Sequence, residues 1–218
     1  MEIMIEAVVF DVGETLVDET GRYQNWADWF GVPRLTLMAT LGAAIATGRE
    51  WTDAMRLFRP EFDIRRDAEL LTAAGYPDGF TEADLYPDVR RALEQLRDRG
   101  LWIGIVGNQP ARTTPILRAM DLPVDYIATS DEWGLRKPDP EFFHRIAAIA
   151  PCARDRLLYV GDRVDNDVVP AKDTGLRAAF VVRGPWAWIQ RDSPDAARAD
   201  WRISALTELP ALVDADAA

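Results

Sequence analysis

From residue 85 onward, short apolar runs alternate with amphipathic segments of helical length. The runs are rich in β-branched and aromatic residues, which favour strands, and the segments between them carry apolar residues at three- and four-residue steps. The alternation predicts helices at 87–99, 113–120, 140–150 and 168–174 and strands at 101–106, 126–129, 157–160 and 178–182. Because such strands and helices are joined by right-handed crossovers, they predict an α/β fold with a doubly wound parallel sheet, a Rossmann-like core.

The amino-terminal part of the chain adds one strand and then changes character. Residues 7–10 form a further strand-like run, Ala-Val-Val-Phe. The segment that follows is rich in aromatic, alanine and charged residues at helical spacing, and glycine and proline divide it into about four short helices. We therefore predict a core built from residues 1–16 and 85–218, with a small helical unit inserted at 17–84.

Charge and composition exclude several classes of partner. The 25 Lys and Arg residues against 36 Asp and Glu give a formal net charge of −11, which argues against nucleic-acid and membrane partners. No apolar run approaches the ~20 residues that span a bilayer, and an acidic amino terminus does not resemble a secretory signal. The single cysteine, Cys152, cannot form an intrachain disulfide and suits a reducing compartment. We expect a cytoplasmic monomer or homodimer.

Polar and charged residues follow four of the predicted strands. They are Asp11, the pair Gly107 and Asn108, Lys137, and Asp162 with Asp167. Taken singly, each suits an ordinary turn or helix cap. Since the carboxyl ends of parallel strands converge on one crevice, we expect the side chains to meet there, where crowded carboxylates require a cation. Hard oxygen ligands suit Mg²⁺, and the lysine would balance the charge of a nucleophile and of an incoming anion.

Four segments in this order resemble the motifs of the haloacid dehalogenase superfamily of hydrolases. The segments are Phe-Asp-Val-Gly-Glu-Thr-Leu at 10–16, Ile-Val-Gly-Asn at 105–108, Arg-Lys-Pro-Asp-Pro-Glu-Phe-Phe at 136–143 and Tyr-Val-Gly-Asp-Arg-Val-Asp-Asn-Asp at 159–167. The resemblance covers nearly the whole chain. It implies that residues 1–16 and 85–218 are the catalytic core and that 17–84 is the helical cap of this family.

The resemblance also implies a role for each matching residue. Asp11 would be the nucleophile that forms an aspartyl-phosphate, and Lys137 would bridge this nucleophile and the phosphoryl oxygens. Mg²⁺ would be bound by Asp11, by the backbone carbonyl of Gly13 and by Asp162, while Asp167 would hold the waters of the metal. The substrate implied is a small phosphorylated molecule.

The phosphate-binding residues implied by the resemblance are mostly backbone groups. The resemblance implies a phosphate site formed by Gly13, Glu14, Gly107, Asn108 and Lys137, in which the amides around Gly13, Glu14 and Asn108 line the anion cradle. Gly107 occupies the position where the family usually has a Ser or Thr hydroxyl on the phosphoryl group. Asn108 or a backbone amide would compensate for that hydroxyl in part.

The main departure from the family pattern is Gly13. Phosphatases of the family carry a second aspartate there, two residues after the nucleophile, and this aspartate protonates the leaving group. General acid catalysis contributes ~10²–10⁴ in rate, so its loss predicts low activity, most of all on alkyl phosphates, which have poor leaving groups. We expect Glu14 to point the other way on an extended chain and not to replace the missing acid.

Three functions follow from these observations. The first is Mg²⁺-dependent hydrolysis of a small phosphorylated metabolite through Asp11. The second is a 2-haloacid dehalogenase-type hydrolysis, since that metal-free branch also lacks the second aspartate. The third is a catalytically weak or inactive member of the fold that binds a ligand. The intact pair Asp162 and Asp167 favours the first, because a dehalogenase needs no metal site.

Overall fold

The computed structural model describes residues 4–216 and contains one six-stranded sheet. All neighbouring strands pair in parallel, in the order β3-β2-β1-β4-β5-β6. The strands are β1 (Ala7–Phe10), β2 (Trp102–Gly107), β3 (Tyr126–Thr129), β4 (Leu157–Gly161), β5 (Arg177–Val181) and β6 (Trp201–Ile203). The strand order reverses direction at β1, and the crevice at the carboxyl ends of the strands on either side of such a point is where open α/β sheets bind ligands.

Helices precede or follow each strand, and four of the five α-helices between β1 and β2 lie within residues 18–84. These four are α1 (Thr20–Phe30), α2 (Arg34–Ala46), α3 (Trp51–Phe58) and α4 (Ile64–Ala73). The others are α5 (Val89–Asp98), α6 (Thr113–Ala119), α7 (Ser130–Trp133), α8 (Pro140–Ile149), α9 (Val169–Asp173), α10 (Gly184–Gln190) and α11 (Leu209–Asp216). A turn of π-helix, Val164–Val168, leads from β4 into α9.

The chain divides into two compact units. The first, here the sheet unit, consists of Met1–Val17 and Leu85–Ala218, and the second, the helical unit, is Asp18–Asp84. The helical unit has its own aromatic core, in which the fully buried Trp26 contacts the rings of Trp29, Phe30 and Phe62. The catalytic and cap roles assigned to these two units remain predictions.

The buried sheet explains why its strands read as continuous apolar runs. All four residues of β1 are fully buried, since strands at the centre of a doubly wound sheet are covered on both faces. On one face, Val9 and Tyr159 pack with the α8 residues Phe142 and Phe143 in a single hydrophobic cluster. Asp11 directly follows the buried strand β1, at its carboxyl end.

The predicted fold class is confirmed, with one strand added. The parallel doubly wound sheet contains every strand that the sequence predicts, within a residue or two at the ends. The last strand predicted from the sequence is 178–182, and the structure adds β6, which pairs with β5 at the edge of the sheet. In the structure Ile203 ends β6, and α11 begins only at Leu209. Three residues are too few for an apolar pattern that predicts a strand. This edge strand is recognised only from its pairing with β5.

In the described part of the chain, no single helix is long and apolar enough to cross a membrane. The pair α1 and α2, bent by 114° at the break between them, meets the length and composition criteria only when the two are counted together.

Candidate active site

Three carboxylates converge at the carboxyl ends of β1 and β4. Asp11 follows β1 directly, and its amide still donates to the carbonyl of Val160 at 2.9 Å, so the strand pairing extends to the nucleophile candidate. One carboxylate oxygen each from Asp11, Asp162 and Asp167 lies within 4.8 Å of the others. All three residues are buried. The structure therefore brings together the acids that the sequence placed at separate strand ends.

Lys137 lies between two of these carboxylates. Its Nζ is 2.7 Å from Asp11 Oδ1 and 2.6 Å from Asp167 Oδ1, and the residue is only 3% exposed. Burial opposes the charged form of the lysine, but the charges of Asp11 and Asp167 outweigh it, and the pKa of Lys137 is raised well above its usual value. The ammonium group is therefore fixed in its charged form beside the candidate nucleophile.

Asn108 positions Lys137 through the backbone of that residue. The Asn108 Nδ2 donates to the Lys137 carbonyl at 2.9 Å, and the Lys137 amide donates to Asn108 Oδ1 at 2.8 Å. This reciprocal pair joins the end of β2 to the loop between α7 and α8, and Asp139 then caps α8 by accepting from the Glu141 amide at 2.9 Å. The side chain of Asn108 is thus engaged with Lys137. The predicted phosphate contact at Asn108 would come from its backbone amide.

Asp167 is held from two sides at the end of β4. Its Oδ1 accepts from Lys137 and its Oδ2 accepts from the Arg163 amide at 2.9 Å. A Cβ at Gly161 would lie 2.3 Å from the Asp167 carboxyl carbon, so only glycine permits this approach of the carboxylate to the strand. Burial raises the pKa of Asp167 to about 6, with the charge of Lys137 opposing the shift and that of Asp11 adding to it.

Asp162 differs from Asp167 in its hydrogen bonds. Its buried Oδ2 accepts no hydrogen bond from any described residue. Burial raises the pKa of Asp162 well above its usual value, and the negative charges of Asp167, Asp11 and Glu14 add to the shift. A buried carboxylate oxygen without a donor costs free energy unless a ligand completes its surroundings.

The residues at this edge of the sheet fit a hard divalent cation. Lys137 Nζ contacts two of the three carboxylates, the buried Oδ2 of Asp162 accepts no hydrogen bond from a described residue, and each of the three side chains offers a carboxylate oxygen as a ligand. Mg²⁺ binds through one or two carboxylates and several waters. Asp162, with its unpaired oxygen, suits direct ligation, whereas Asp167, with both oxygens engaged, suits contact through water.

The structure gives a steric reason for glycine at position 107. A Cβ at Gly107 would lie 2.4 Å from Asp11 Oδ1 and 3.2 Å from Val12 Cγ2. In this conformation the carboxylate of Asp11 occupies the space that a Ser or Thr side chain would need. Gly107 was predicted at the phosphate site in place of a hydroxyl-bearing residue, and its close approach to Asp11 is a tertiary contact that no local sequence pattern contains.

The expectation for Glu14 is wrong in its backbone conformation. Glu14 has φ of 54°, in the left-handed region, and is 5% exposed. Its Oε2 accepts from the Tyr86 hydroxyl at 2.6 Å, and its amide donates to the Val17 carbonyl at 2.7 Å. The amide that the resemblance assigns to phosphate binding therefore already has a partner within the turn, whereas the predicted contribution of Gly13 stays a prediction.

Sequence reasoning also missed an aromatic residue of the site. Tyr159 lies in β4, its ring is 5.3 Å from Lys137 Nζ, and its hydroxyl donates to the Val106 carbonyl at 2.9 Å. Burial raises the pKa of Tyr159 well above its usual value. The sequence did contain a signal for Tyr159. A tyrosine inside a buried strand predicts a hydrogen-bond partner for its hydroxyl.

Comparison with known proteins gives one matching family and several phosphatase relatives. The family model of the haloacid dehalogenase-like hydrolases matches residues 5–175. A glyceraldehyde 3-phosphate phosphatase of Methanocaldococcus jannaschii is 32% identical over 131 residues, which cover 59% of this chain and 56% of that protein. The chain thus spans little more than half the length of that relative. Phosphoglycolate phosphatase 1 of Pseudomonas aeruginosa is 30% identical over 204 residues, covering 81% of this chain and 69% of that protein.

Solved structures share the fold over almost the whole chain. A HAD phosphatase from Thermococcus onnurineus has a TM-score of 0.62 at 24% identity, with 96% of this chain and 98% of that chain covered. The L-2-haloacid dehalogenase from Xanthobacter autotrophicus, with chloropropionic acid covalently bound, has a TM-score of 0.68 at 21% identity and covers 97% and 99%. At these identities the similarity concerns the fold alone.

Proposed function

Since this chain belongs to the haloacid dehalogenase-like hydrolases, we propose that it is a Mg²⁺-dependent phosphatase that hydrolyses small phosphorylated metabolites through Asp11. The observation that carries the proposal is the contact of Lys137 Nζ with Asp11, beside a buried Asp162 oxygen to which no described residue donates. This set of groups suits an anionic phosphoryl group and a metal ion together. The names of the relatives, a glyceraldehyde 3-phosphate phosphatase and a phosphoglycolate phosphatase, support the same substrate class.

The chemistry proceeds in two steps at Asp11. In the first, a carboxylate oxygen of Asp11 forms a bond to phosphorus while the bond from phosphorus to the ester oxygen breaks, and the departing alkoxide takes a proton from water. In the second, a water molecule attacks the phosphorus, loses a proton to solvent, and the bond between phosphorus and Asp11 breaks. Inorganic phosphate leaves and the carboxylate of Asp11 is restored, so one hard hydrolysis is divided into two easier steps.

The remaining residues supply charge and orientation. Lys137, fixed beside Asp11, stabilises negative charge on the phosphoryl oxygens without any reorganisation during the reaction. Mg²⁺, when bound by Asp11, Asp162 and the Gly13 carbonyl, with Asp167 holding its waters, would neutralise charge on the carboxylates and on the phosphoryl group.

Gly13 limits this phosphatase to low activity on poor leaving groups. Gly13, two residues after Asp11, has no carboxylic acid side chain, so the leaving alkoxide takes its proton from solvent. Glu14 does not replace the missing general acid. Its backbone is left-handed, not extended, and its carboxylate accepts a hydrogen bond from Tyr86. Aryl phosphates, which need little protonation, are therefore the best diagnostic substrates.

The experiment is a panel of aryl and alkyl phosphate esters assayed with Mg²⁺ and with a chelator. We expect Mg²⁺-dependent release of phosphate, fastest from p-nitrophenyl phosphate. Asp11→Asn should lower this turnover by about 10³-fold or more, since the nucleophile is removed. A variant that keeps the wild-type melting temperature and also keeps its turnover would contradict the assignment of Asp11.

The same panel separates the alternatives. A 2-haloacid tested in the presence of a chelator would release halide if the chain were a metal-free dehalogenase. Failure to turn over any ester, together with measurable Mg²⁺ binding, would favour a ligand-binding member of the fold. The convergence of Asp162 and Asp167 on Asp11 favours the phosphatase over both.

A further inference from the structure

The turn after Asp11 has an energetically unfavourable backbone conformation. Glu14 is a large, buried, non-glycine residue with φ of 54°. A side chain with a Cβ disfavours the left-handed region, so such a residue persists only where its neighbours fix it. Backbone hydrogen bonds close the turn on itself: the Leu16 and Val17 amides both donate to the Val12 carbonyl, at 2.8 and 3.0 Å.

Side chains from two other segments of the sheet unit contact this turn. The Tyr86 hydroxyl donates to Glu14 Oε2 at 2.6 Å, and Arg183 Nη1 donates to the Thr15 carbonyl at 3.3 Å. At Gly184, which directly follows, a Cβ would lie 2.6 Å from the Glu14 Cβ, so the chain after β5 packs directly on the Glu14 side chain. The turn is therefore bounded on both sides by residues distant in sequence.

Arg183 is itself held firmly in place. Its Nη1 and Nη2 donate to the two carboxylate oxygens of Asp88 at 3.1 and 2.6 Å, and its guanidinium carbon lies 4.4 Å from the centre of the Tyr86 ring. Asp88 Oδ2 also accepts from the Leu206 amide at 2.7 Å. Arg183 is 9% exposed, so a bidentate pair of this kind is rigid. We call Tyr86, Asp88 and Arg183 the brace.

We propose that the brace is a positioning device for the reaction: it fixes the Glu14 turn and thereby the backbone of Gly13 relative to Asp11. This inference rests on the proposed function, in which the Gly13 backbone contributes to the metal and phosphate sites. Gly13 directly precedes Glu14, so a shift of the Glu14 carboxylate or of the Thr15 carbonyl moves Gly13 with it. A misplacement of about 1 Å at a reacting group costs about 10²-fold in rate, which is why a rigid turn matters here.

The other end of β5 offers a matched control. Arg177, its first residue, donates from Nη1 and Nη2 to Asp216 at 3.3 and 3.2 Å and lies 5.3 Å from the Trp201 ring. Arg177 thus makes the kinds of contact that Arg183 makes, a bidentate carboxylate pair and an aromatic ring, at the amino end of the same parallel strand, and its Nε also lies 3.0 Å from Asp200 Oδ1. Arg177→Met should lower the stability of the protein without changing the Glu14 turn.

The experiment compares Arg183→Met with Arg177→Met in the full-length protein by amide hydrogen exchange. The amides of residues 14–17 are hydrogen-bonded within the turn. We expect Arg183→Met to speed exchange in a peptide covering residues 12–17 by about tenfold or more over wild type, and Arg177→Met to leave it unchanged. Tyr86→Phe, which removes only the hydroxyl, should show a smaller increase in the same peptide. Equal exchange in the two arginine variants would overturn the proposal.

Kinetics on p-nitrophenyl phosphate with Mg²⁺ provide the second readout. Arg183→Met should lower kcat about tenfold or more with a smaller change in KM, since a misplaced turn affects the transition state more than substrate binding. Arg183→Lys, which keeps the charge, should restore part of kcat, and it serves as the test variant if Arg183→Met does not fold. Unchanged kcat in both Arg183 variants would also overturn the proposal. If wild type hydrolyses no ester, the proposed function fails, and the exchange comparison alone then decides whether the brace fixes the turn.

Discussion

Two buried aspartates of this protein have opposite electrostatic surroundings. Asp67, in the helical unit, and Asp162, at the edge of the sheet, are 0% and 2% exposed. Asp67 Oδ2 accepts from the Asp63 amide at 2.7 Å and from Arg66 Nη2 at 2.9 Å, and Arg59 lies 3.3 Å from its Oδ1. Burial alone would raise the pKa of Asp67, but the hydrogen bond from Arg66, with the Asp63 amide and Arg59, holds that pKa below its usual value.

Asp162 has acids where Asp67 has arginines. Burial raises the pKa of Asp162 and the charges of Asp167 and Asp11 add to the shift, whereas the pKa of Asp67 is lowered. Among the described residues neither Asp67 Oδ1 nor Asp162 Oδ2 accepts a hydrogen bond, but Asp67 Oδ1 lies 3.3 Å from Arg59 Nη2. The opposite pKa shifts of Asp67 and Asp162 indicate different roles for the two carboxylates. The fold compensates Asp67 internally, so this residue stabilises the helical unit, whereas it leaves Asp162 to be compensated by something that binds. Burial and residue type alone do not distinguish the two.

The most direct way to break this comparison is to remove the charge at each site with the same substitution. Asp162→Asn should lower Mg²⁺-dependent turnover by about 10²-fold or more, because a metal ligand is lost, while the metal-free protein keeps or gains stability. Asp67→Asn should lower the free energy of unfolding by about 1–3 kcal/mol through its lost charge-assisted hydrogen bonds. Its turnover per folded molecule should stay at the wild-type value. Denaturant unfolding and phosphate release measure both, and the reverse assignment of effects would refute the distinction.

A second test of the comparison adds a carboxylate near Asp162, where negative charge is already in excess. Gly13→Asp should raise turnover of alkyl phosphates by about tenfold or more, because it restores a general acid, and should raise turnover of aryl phosphates less. The additional negative charge should also make the metal-free protein less stable at neutral pH. Parallel kinetics on one aryl and one alkyl ester test the prediction, and an equal gain on both would argue against the missing acid as the cause of low activity.

Asn108 allows the role of Lys137 to be separated from general stability. Asn108→Ala removes both hydrogen bonds to the Lys137 backbone and should lower kcat by about tenfold, since the lysine then shifts relative to Asp11. The matched control is Asn25→Ala in the helical unit, where Asn25 Nδ2 donates to the Pro77 carbonyl at 2.9 Å. That variant should leave kcat unchanged. A similar loss of kcat in both variants would show that Asn108 acts only through stability.

The smallest effect is a difference in pH dependence. The pKa of Asp167 is raised to about 6, so the folded metal-free protein binds a proton that the unfolded chain does not between about pH 4 and pH 6, and its free energy of unfolding falls as pH rises through this window. Asp67, with its lowered pKa, contributes stability that is lost as pH falls below the ordinary aspartate value.

Mg²⁺ competes with that proton. Its stabilisation of the protein should therefore be smaller at pH 5 than at pH 7.5, by about 1–2 kcal/mol. Thermal unfolding of wild type and Asp167→Asn with and without Mg²⁺ measures the difference. A Mg²⁺ effect that does not depend on pH in wild type would contradict the assignment of Asp167 to the metal site.

Much of the fold was predictable because its signals are local. The alternation of apolar runs with helical segments indicates a parallel doubly wound sheet, and each run at β1 to β5 is long enough to recognise. The acids Asp11, Asp162 and Asp167 were also predictable as a group, since parallel strands end at the same edge of the sheet. The three residues of β6 were not, because the pairing of an edge strand is decided by its neighbour.

Sequence by itself determined which residues lie at the carboxyl edge of the sheet, because strand length and the direction of the chain fix where each strand ends. Tertiary structure alone decided how their charges are shared. Lys137 contacts Asp11 and Asp167, one Asp162 oxygen accepts no hydrogen bond from any residue that the structure describes, and Glu14 turns toward Tyr86. The physical reason is that electrostatic compensation and close packing depend on distances of a few ångströms between residues far apart in the chain. Local sequence patterns contain no such distances.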